Sequence, residues 1–184
     1  MSQPLVSIVI PSYNHEKYIT QCLESALNQT WQNIEILVVD DGSTDNTRAI
    51  LEGFGHYQNI HLHFQENKGS SAAINRGIAL AKGTYISILN SDDCYASTRV
   101  EQLLQMAQTH AKPCLFATGV ELIDEQGEVL PEDFWWNRMY ADMVARWQGT
   151  DAQEQESRYD ILSWGNLAAS TSNFFFRKDL ARRN

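Results

Sequence analysis

Two near-continuous apolar runs, Leu5–Ile10 and Ile34–Val39, each break abruptly into a polar turn, and this narrows what the chain can fold into. A short apolar run closed by turn signals is the mark of a strand covered on both faces, as in a parallel sheet. Pro11 closes the first run and Asp40-Asp41-Gly42-Ser43 closes the second. Between them Tyr18, Ile19, Cys22, Leu23, Ala26 and Leu27 recur at helical spacing through about Gln29, in a helix that Asn14 or His15 can open. Ser43 or Thr44 caps a second helix, whose apolar side carries Ala49, Ile50 and Leu51 and which stops near Gly53. Ile60–Phe64 alternates apolar residues with His61 and His63, which fits a more exposed strand. Gly69–Lys82 reads as a helix stopped by Gly83, and Thr84–Leu89 as a further strand.

Repeated strand–helix–strand units form a parallel sheet with right-handed crossovers. The expected class is therefore α/β, a mostly parallel central sheet flanked by helices. Ligands on such sheets sit beyond the carboxyl ends of the strands. Here those ends carry Pro11–Asn14, Asp40–Ser43 and Asn90–Asp93, so three polar clusters converge on one edge.

The second half is less regular. Arg99–His110 reads as a helix and Pro113–Asp124 as a long strand, with a turn at Glu125-Gln126-Gly127-Glu128 into a short return strand. Pro131–Trp147 is rich in aromatics, Gln148–Ser157 is polar and loop-like, and Ser172–Arg177 is apolar again. A chain of 184 residues holds one domain with a substantial core and hardly two. With no repeat and no linker in view, the reading is a single domain over residues 1–184, with a regular half over residues 1–112 and a less regular half over 113–184.

Charge narrows the partners. The net charge is -9, from 14 Lys+Arg against 23 Asp+Glu, and the only basic run is Arg182-Arg183. Nucleic acid is excluded as a partner, because binding its phosphates needs a basic face. An acidic protein that binds an anionic nucleotide must neutralise the phosphates locally, with a metal ion or backbone amides. Cys22, Cys94 and Cys114 form neither a CxxC pair nor a disulfide framework, as expected for thiols in a reducing cytosol. No stretch approaches the ~20 apolar residues of a membrane span, and no signal pattern opens the chain. The expected location is cytoplasmic, with room for peripheral association at the inner face of the membrane.

Common nucleotide signatures are missing: there is no GxxxxGK[ST] loop, and Gly53-Phe54-Gly55 is a helix stop rather than a dinucleotide fingerprint. Asp92-Asp93 is the most pointed feature. Adjacent carboxylates at a strand end repel each other unless a cation lies beside them, and Mg²⁺ or Mn²⁺ takes one or two carboxylates with water and phosphate oxygens. The plainer reading is a solvated turn or helix cap. Asp40 and Asp41 divide in the same way: one can accept from a base N–H or ribose hydroxyl while the other holds the turn. Tyr13 can stack on a nucleobase, worth about 1–3 kcal/mol, or pack on a helix. Asn67–Gly77 opens a helix with small residues that permit close approach of a phosphate, with Lys68 or Arg76 as added charge or as surface cations.

Taken together, Val6–Asn14, Ser25–Thr30, Val38–Asp45, Asn67-Lys68-Gly69 with Ala73 and Asn75, and Ser91-Asp92-Asp93 resemble the ordered motif set of the family-2 inverting glycosyltransferases with the GT-A fold, a Rossmann-like architecture. The match runs from about Leu5 to Arg99 and returns faintly at Ser170–Arg177. The resemblance implies that Tyr13, with Pro11 and Asn14, lies near the base and that Asp41 accepts from the base N–H. It places Asp92 near ribose or metal, and Asp93 on the Mg²⁺ or Mn²⁺ ion that bridges the donor diphosphate. Gly69, Ala73 and Asn75 would approach ribose and phosphates. The implied activity is sugar transfer from a nucleotide-diphosphate sugar to a glycan, lipid-linked or other hydroxyl acceptor, with inversion and with the metal as Lewis acid.

Two departures follow. Asn90 stands where the family's acidic motif often has its first Asp. The family's general base is usually an Asp or Glu downstream of the segment matched by Ser172–Arg177, so this chain, ending at Asn184, is expected to lack it, and no residue is assigned as catalytic. Within the chain, Glu132, Asp133 and Asp142 surround Trp135-Trp136, a pair that can stack on an acceptor sugar or simply shield the sheet. His61 and His63 alternate as metal ligands do, though edge-strand exposure explains them as well. Two rivals remain: a nucleotide-sugar binding module without chemistry, and a nucleotidyltransferase, which needs a Gly-rich basic loop that Pro11–Lys17 does not supply.

Overall fold

The computed structural model describes residues 3–109, 115–118, 120–131 and 171–182. All seven residues of β1 (Val6–Ser12) and all seven of β2 (Ile34–Asp40) are buried, which is why both read as apolar runs without alternation. They pair in parallel with Ile8 opposite Ile36 and Ser12 opposite Asp40, so the two strands end level. β3 (Ile60–Phe64) adds in parallel on the far side of β2, and β4 (Tyr85–Ile88) in parallel on the other side of β1. The half-buried side chains of β3 fit its place at the edge of the sheet.

Helices cover both faces. Val6, Ile8 and Ile10 of β1 and Ile36 and Val38 of β2 pack with Ile19, Cys22, Leu23 and Ala26 of α1 (Ile19–Leu27), Leu51 of α2 (Thr47–Gly53), and Val100, Leu103 and Leu104 of α4 (Arg99–Thr109). On the opposite face Val9, Leu37, Ile86 and Ile88 meet Ile74 and Ile78 of α3 (Ser70–Leu80). The small residues of α3 bring it close to the sheet, for a Cβ on Gly77 would lie 2.3 Å from Val9 Cγ1.

Beyond β4 the direction reverses. β5 (Leu115–Phe116) and β6 (Phe175–Arg177) complete the order β3-β2-β1-β4-β6-β5, with β6 antiparallel to both its neighbours. Because successive strands run outward from β1 to β3 and then return to its other side at β4, the crevice between β1 and β4 is the switch point of the sheet.

Three local expectations change. α1 starts at Ile19 rather than at Asn14 or His15, since Asn14 takes a left-handed φ of 55° and residues 14–16 bond to another turn. α2 starts at Thr47 with Asn46 before it, because Ser43 turns back onto Asp40 instead of capping the helix. The long strand expected over Pro113–Asp124 reduces, among the described residues, to Leu115–Phe116 and one bridge between Ile123 and Val129. The turn inside that bridge is as expected: Asp124 Oδ1 accepts from the amides of Gln126 and Glu128, and Gly127 supplies a φ of 85°. The remaining readings from 132 to 170, including Trp135-Trp136, Glu132, Asp133 and Asp142, lie outside the described residues. The chain divides into two compact units, residues 1–117 with 171–184, and residues 118–170. Among the described residues no helix is long and apolar enough to cross a membrane.

One polar residue interrupts the buried run of β2. Glu35 accepts at Oε1 from Ser7 Oγ at 2.5 Å, Lys82 N at 2.6 Å and Gly83 N at 3.1 Å, so a buried carboxylate fastens the start of β4 to the first two strands. Gly83 is required there, because a Cβ would stand 2.7 Å from Ser7 N and 2.8 Å from Leu5 O. Gly83→Ala should therefore destabilise the fold by about 1–3 kcal/mol through overcrowding. The check is urea unfolding, with a lower midpoint at an unchanged m-value; a midpoint equal to that of the parent chain would show that the crowding relaxes freely.

Candidate functional site

The carboxyl ends of β1, β2 and β4 each run into a short polar turn, and the turns are bonded to one another. Asp41 N donates to Ser12 O at 2.8 Å, which holds the first two turns side by side. Asn14 then acts as a bracket. Its amide donates to Ser43 Oγ at 3.0 Å, while its Oδ1 accepts from Thr44 N at 2.8 Å. The left-handed backbone of Asn14 lets side chain and amide face the same neighbour, a conformation that Asn tolerates better than most residues. Two further links follow: His15 N to Thr47 Oγ1 at 2.9 Å, and Asn46 N to Glu16 Oε2 at 2.8 Å.

His15 reaches the third turn as well. Its Nδ1 lies 2.6 Å from Ser91 Oγ, so the residue after the bracket touches the turn that carries Asp92 and Asp93. Through Asn14 and His15 the structure brings the Tyr13, Asp41 and Asp92-Asp93 turns into one bonded assembly at the switch point. Tyr13 projects from it with 43% of its surface exposed, and Pro11 is buried behind it in β1.

The paired aspartates of the second turn have separate work. Asp40 accepts from Ser43 N at 3.0 Å and Ser43 Oγ at 2.5 Å, which closes its own turn. Asp41, only 2% exposed, reaches across to the loop before α3. Its Oδ1 accepts from Gln65 Nε2 at 2.7 Å and Lys68 N at 2.9 Å, and its Oδ2 from Gly69 N at 2.7 Å. A carboxylate offers about four acceptor positions, so one remains on Oδ2. Burial by itself would push the Asp41 carboxyl up, but the bonds from Gln65, Lys68 and Gly69 and the Lys68 charge outweigh it and hold the group below its ordinary value of 3.8. Gln65 is steadied in turn by Arg76, whose guanidinium donates to Gln65 Oε1 at 3.0 Å and Phe64 O at 3.1 Å.

The loop so anchored ends at Gly69, whose φ of 88° precedes the first turn of α3. Of the α3 residues expected at the site, Ala73 is wholly buried and Asn75 lies on the exposed side of the helix. Ala73 thus packs α3 toward the sheet, and no hydrogen bond joins Asn75 to the three turns. In the third turn Asp92 is exposed and Asp93 half-buried, and Asp93 N donates to Asn90 O at 3.1 Å. Cys22 lies beneath, its thiol pushed up by burial first and then by Cys94, Asp93 and Asp92, as fits a protonated core residue. His61 and His63 sit on edge strand β3, with His61 Nε2 3.9 Å from the buried Glu35.

His15, Gln65 and Ser172 carry contacts of the site that residue patterns alone did not single out. His15 and Gln65 lie outside every recognisable motif, and their partners are distant in sequence. Ser172 stands in the segment where the resemblance returns, which is the one signal that could have pointed to it.

The mostly parallel sheet with helices on both faces is that of the GT-A class of α/β proteins, and the likeness extends to S. aureus TarS 1–349 in complex with UDP-GlcNAc, at a TM-score of 0.56 and 27% identity over 70% of this chain and 37% of that one. The chain belongs to glycosyl transferase family 2, whose family model matches residues 7–183. It is 49% identical to the glycosyltransferase GlyG of Streptococcus pneumoniae serotype 4 over 106 residues, 56% of this chain and 35% of that protein. It is 40% identical to the chondroitin synthase of Escherichia coli over 135 residues, 72% of this chain and 20% of that protein. The matched region thus spans about a third or less of these relatives.

The anchoring of the Gln65–Gly69 loop by Asp41 has a definite pH dependence. Because the folded-state value is lowered, the stabilisation is present above the ordinary carboxyl value of 3.8 and is lost as pH falls through the folded value. Asp41→Asn should remove this part of the acid limb and cost about 1–3 kcal/mol, since an amide N–H replaces one acceptor of buried donors. Hydrogen exchange at the Lys68 and Gly69 amides measures it; exchange as slow as in the parent chain would count against the anchor.

Proposed function

We propose that this chain binds a nucleotide-diphosphate sugar at the β1/β4 crevice and serves a glycosyltransferase that passes the sugar to an acceptor hydroxyl with inversion, assisted by Mg²⁺ or Mn²⁺. The observation that carries the reading is the bonded assembly of three turns, which gathers an exposed aromatic ring, a buried carboxylate and an acidic pair at the switch point of the sheet. The TarS complex holds UDP-GlcNAc, and this fold likeness supports a nucleotide-sugar donor here.

Each residue has a chemical part. The exposed Tyr13 ring offers a stacking face for a base. Asp41 keeps one acceptor position for a base N–H while three donors fix its carboxylate. Gly69 opens α3, whose first-turn amides would meet phosphate oxygens, while Asn14 holds the Tyr13 and Asp41 turns together and His15 ties them to the acidic turn. Ala73 acts through the close approach of α3 to the sheet, and Asn75 stays on its outer side.

The acidic turn fits a hard divalent cation. Among the described residues no three His, Cys, Asp or Glu side chains cluster as a protein-only metal cage would need. Two adjacent carboxylates suit an ion that draws most of its other ligands from water and phosphate. Asp93 would hold it, with Asp92 on the ion or on ribose. Once bound, the ion offsets the charge of the departing diphosphate, which a chain of net charge -9 does not otherwise neutralise. A glycan, a lipid-linked sugar or another hydroxyl compound is the acceptor class that fits.

Calorimetric titration with UDP and GDP, with and without Mn²⁺, tests the reading. Binding should strengthen with Mn²⁺, and Asp93→Asn should abolish that increment while the fold is kept. Tyr13→Ala should cost about 1–3 kcal/mol for either nucleotide. Nucleotide binding that is absent in the presence of Mn²⁺ would refute the donor site. Binding without donor hydrolysis or transfer would reduce this chain to a nucleotide-sugar binding module.

A further inference from the structure

We propose that Ser172 is a positioning residue for Asp93, so that a side chain 79 residues further along the chain sets the grip of the acidic turn on a divalent cation. This rests on the metal-binding reading of Asp93 above.

The register of the sheet delivers Ser172 to that turn. β6 pairs antiparallel with β4, Ser87 opposite Phe175 and Ile86 opposite Phe176. Ile88 N donates to Phe174 O at 3.0 Å, so the pairing continues past the formal end of β4. Two residues on from Ile88 and two residues back from Phe174, the same antiparallel count sets Asn90 opposite Ser172. There the Ser172 hydroxyl lies 2.6 Å from Asn90 N and 2.5 Å from Asp93 Oδ2.

The direction of these bonds is fixed by chemistry. A backbone N–H only donates, so the hydroxyl accepts from Asn90, and a carboxylate only accepts, so the single hydroxyl hydrogen goes to Asp93. Asn90 Nδ2 approaches the same Oδ2 at 3.4 Å. Both neighbours thus engage one oxygen of the Asp93 carboxylate and fix its plane before any ligand arrives.

Ser172 is itself held in place. The Tyr95 hydroxyl lies 3.3 Å from Ser172 O and 2.5 Å from Ile88 O, and Arg99 donates to Asn173 Oδ1 at 2.9 Å while stacking 4.3 Å over the Tyr95 ring. Ser172 and Asn173 are both buried, and the turn that presents the hydroxyl is built into the core.

A group that orients a metal ligand in this way is worth about 10–100-fold in metal affinity. Mn²⁺ affinity in the presence of saturating UDP, followed by electron paramagnetic resonance, is compared among the parent chain, Ser172→Ala, Ser172→Thr, Asp93→Asn and the Ala–Asn double variant. UDP affinity without metal is measured alongside by calorimetry. Ser172→Ala should weaken Mn²⁺ binding about 10–100-fold with metal-free UDP affinity unchanged. Ser172→Thr, which keeps the hydroxyl, should restore it, and Ser172→Ala should add nothing in the Asp93→Asn background. Parental Mn²⁺ affinity in Ser172→Ala, with binding lost in Asp93→Asn, would overturn the role of Ser172 and leave the Asp93 reading standing. Parental affinity in Asp93→Asn would overturn both. A further loss from Ser172→Ala on top of Asp93→Asn would show an effect through the fold instead, and would also overturn the proposal. If Ser172→Ala does not fold, Ser172→Cys, with its weak S–H donor, takes its place: intermediate affinity supports the proposal and parental affinity overturns it.

Discussion

The site depends on one left-handed residue. Asn14 leaves β1 with a φ of 55°, and from that conformation its amide and side chain both meet the turn that follows β2. Two parallel strands that end level would otherwise release their loops in unrelated directions, because nothing in the ladder of a sheet constrains what lies beyond its last bond. Asn14 extends the pairing by one layer of side chain–backbone bonds. His15 then carries the constraint across β1 to Ser91. A site assembled from three loops thereby behaves as one surface, which is what a ligand spanning base, ribose and diphosphate demands of a protein.

Buried acidic groups divide between the two ends of the sheet. At the amino end Glu35 accepts from Ser7, Lys82 and Gly83, and its carboxylate ties strands together. At the carboxyl end Asp40 closes its own turn through Ser43, while Asp41 reaches across to Gln65, Lys68 and Gly69. The same side-chain chemistry ties strands together where its donors come from neighbouring strand ends, closes a turn where they come from the turn itself, and anchors a loop where they come from that loop. Residue type alone does not distinguish these, because the difference lies in which donors the fold brings to each carboxylate.

That contrast explains what could be read in advance. The parallel sheet, its flanking helices and the convergence of the three turns were legible because each rests on local periodicity and on chain-order rules. That one of Asp40 and Asp41 holds its own turn was legible, but which of them does so was not, and the donors that draw Asp41 away, Gln65, Lys68 and Gly69, lie more than twenty residues distant. The starts of α1 and α2 were misplaced for a related reason. Asn14 and Ser43 have the side chains of helix caps, but Asn14 spends its polar atoms on the turn after β2 and Ser43 closes back onto Asp40. Among the described residues the strand expected over Pro113–Asp124 is short, since an apolar run shows that a segment can pair and says nothing about the length of the partner; β6 offers three residues, and β5 pairs over two.

The reversal at β6 changes what the last part of the sheet can contribute. A parallel strand joined to β4 would present its carboxyl end to the crevice and its amino end to the far side. An antiparallel strand presents the residues that precede it, and here these are Ser172 and Asn173, set among Tyr95, Arg99 and the turn of Asn90. The acidic turn is therefore completed from a distant stretch of chain, although both of its aspartates are local to β4. Short-range motifs suffice to lay out the turns that follow β1 and β2, whereas the orientation of Asp93 is fixed only when β6 has paired. Formation of the sheet and preorganisation of the acidic turn are in this sense a single event.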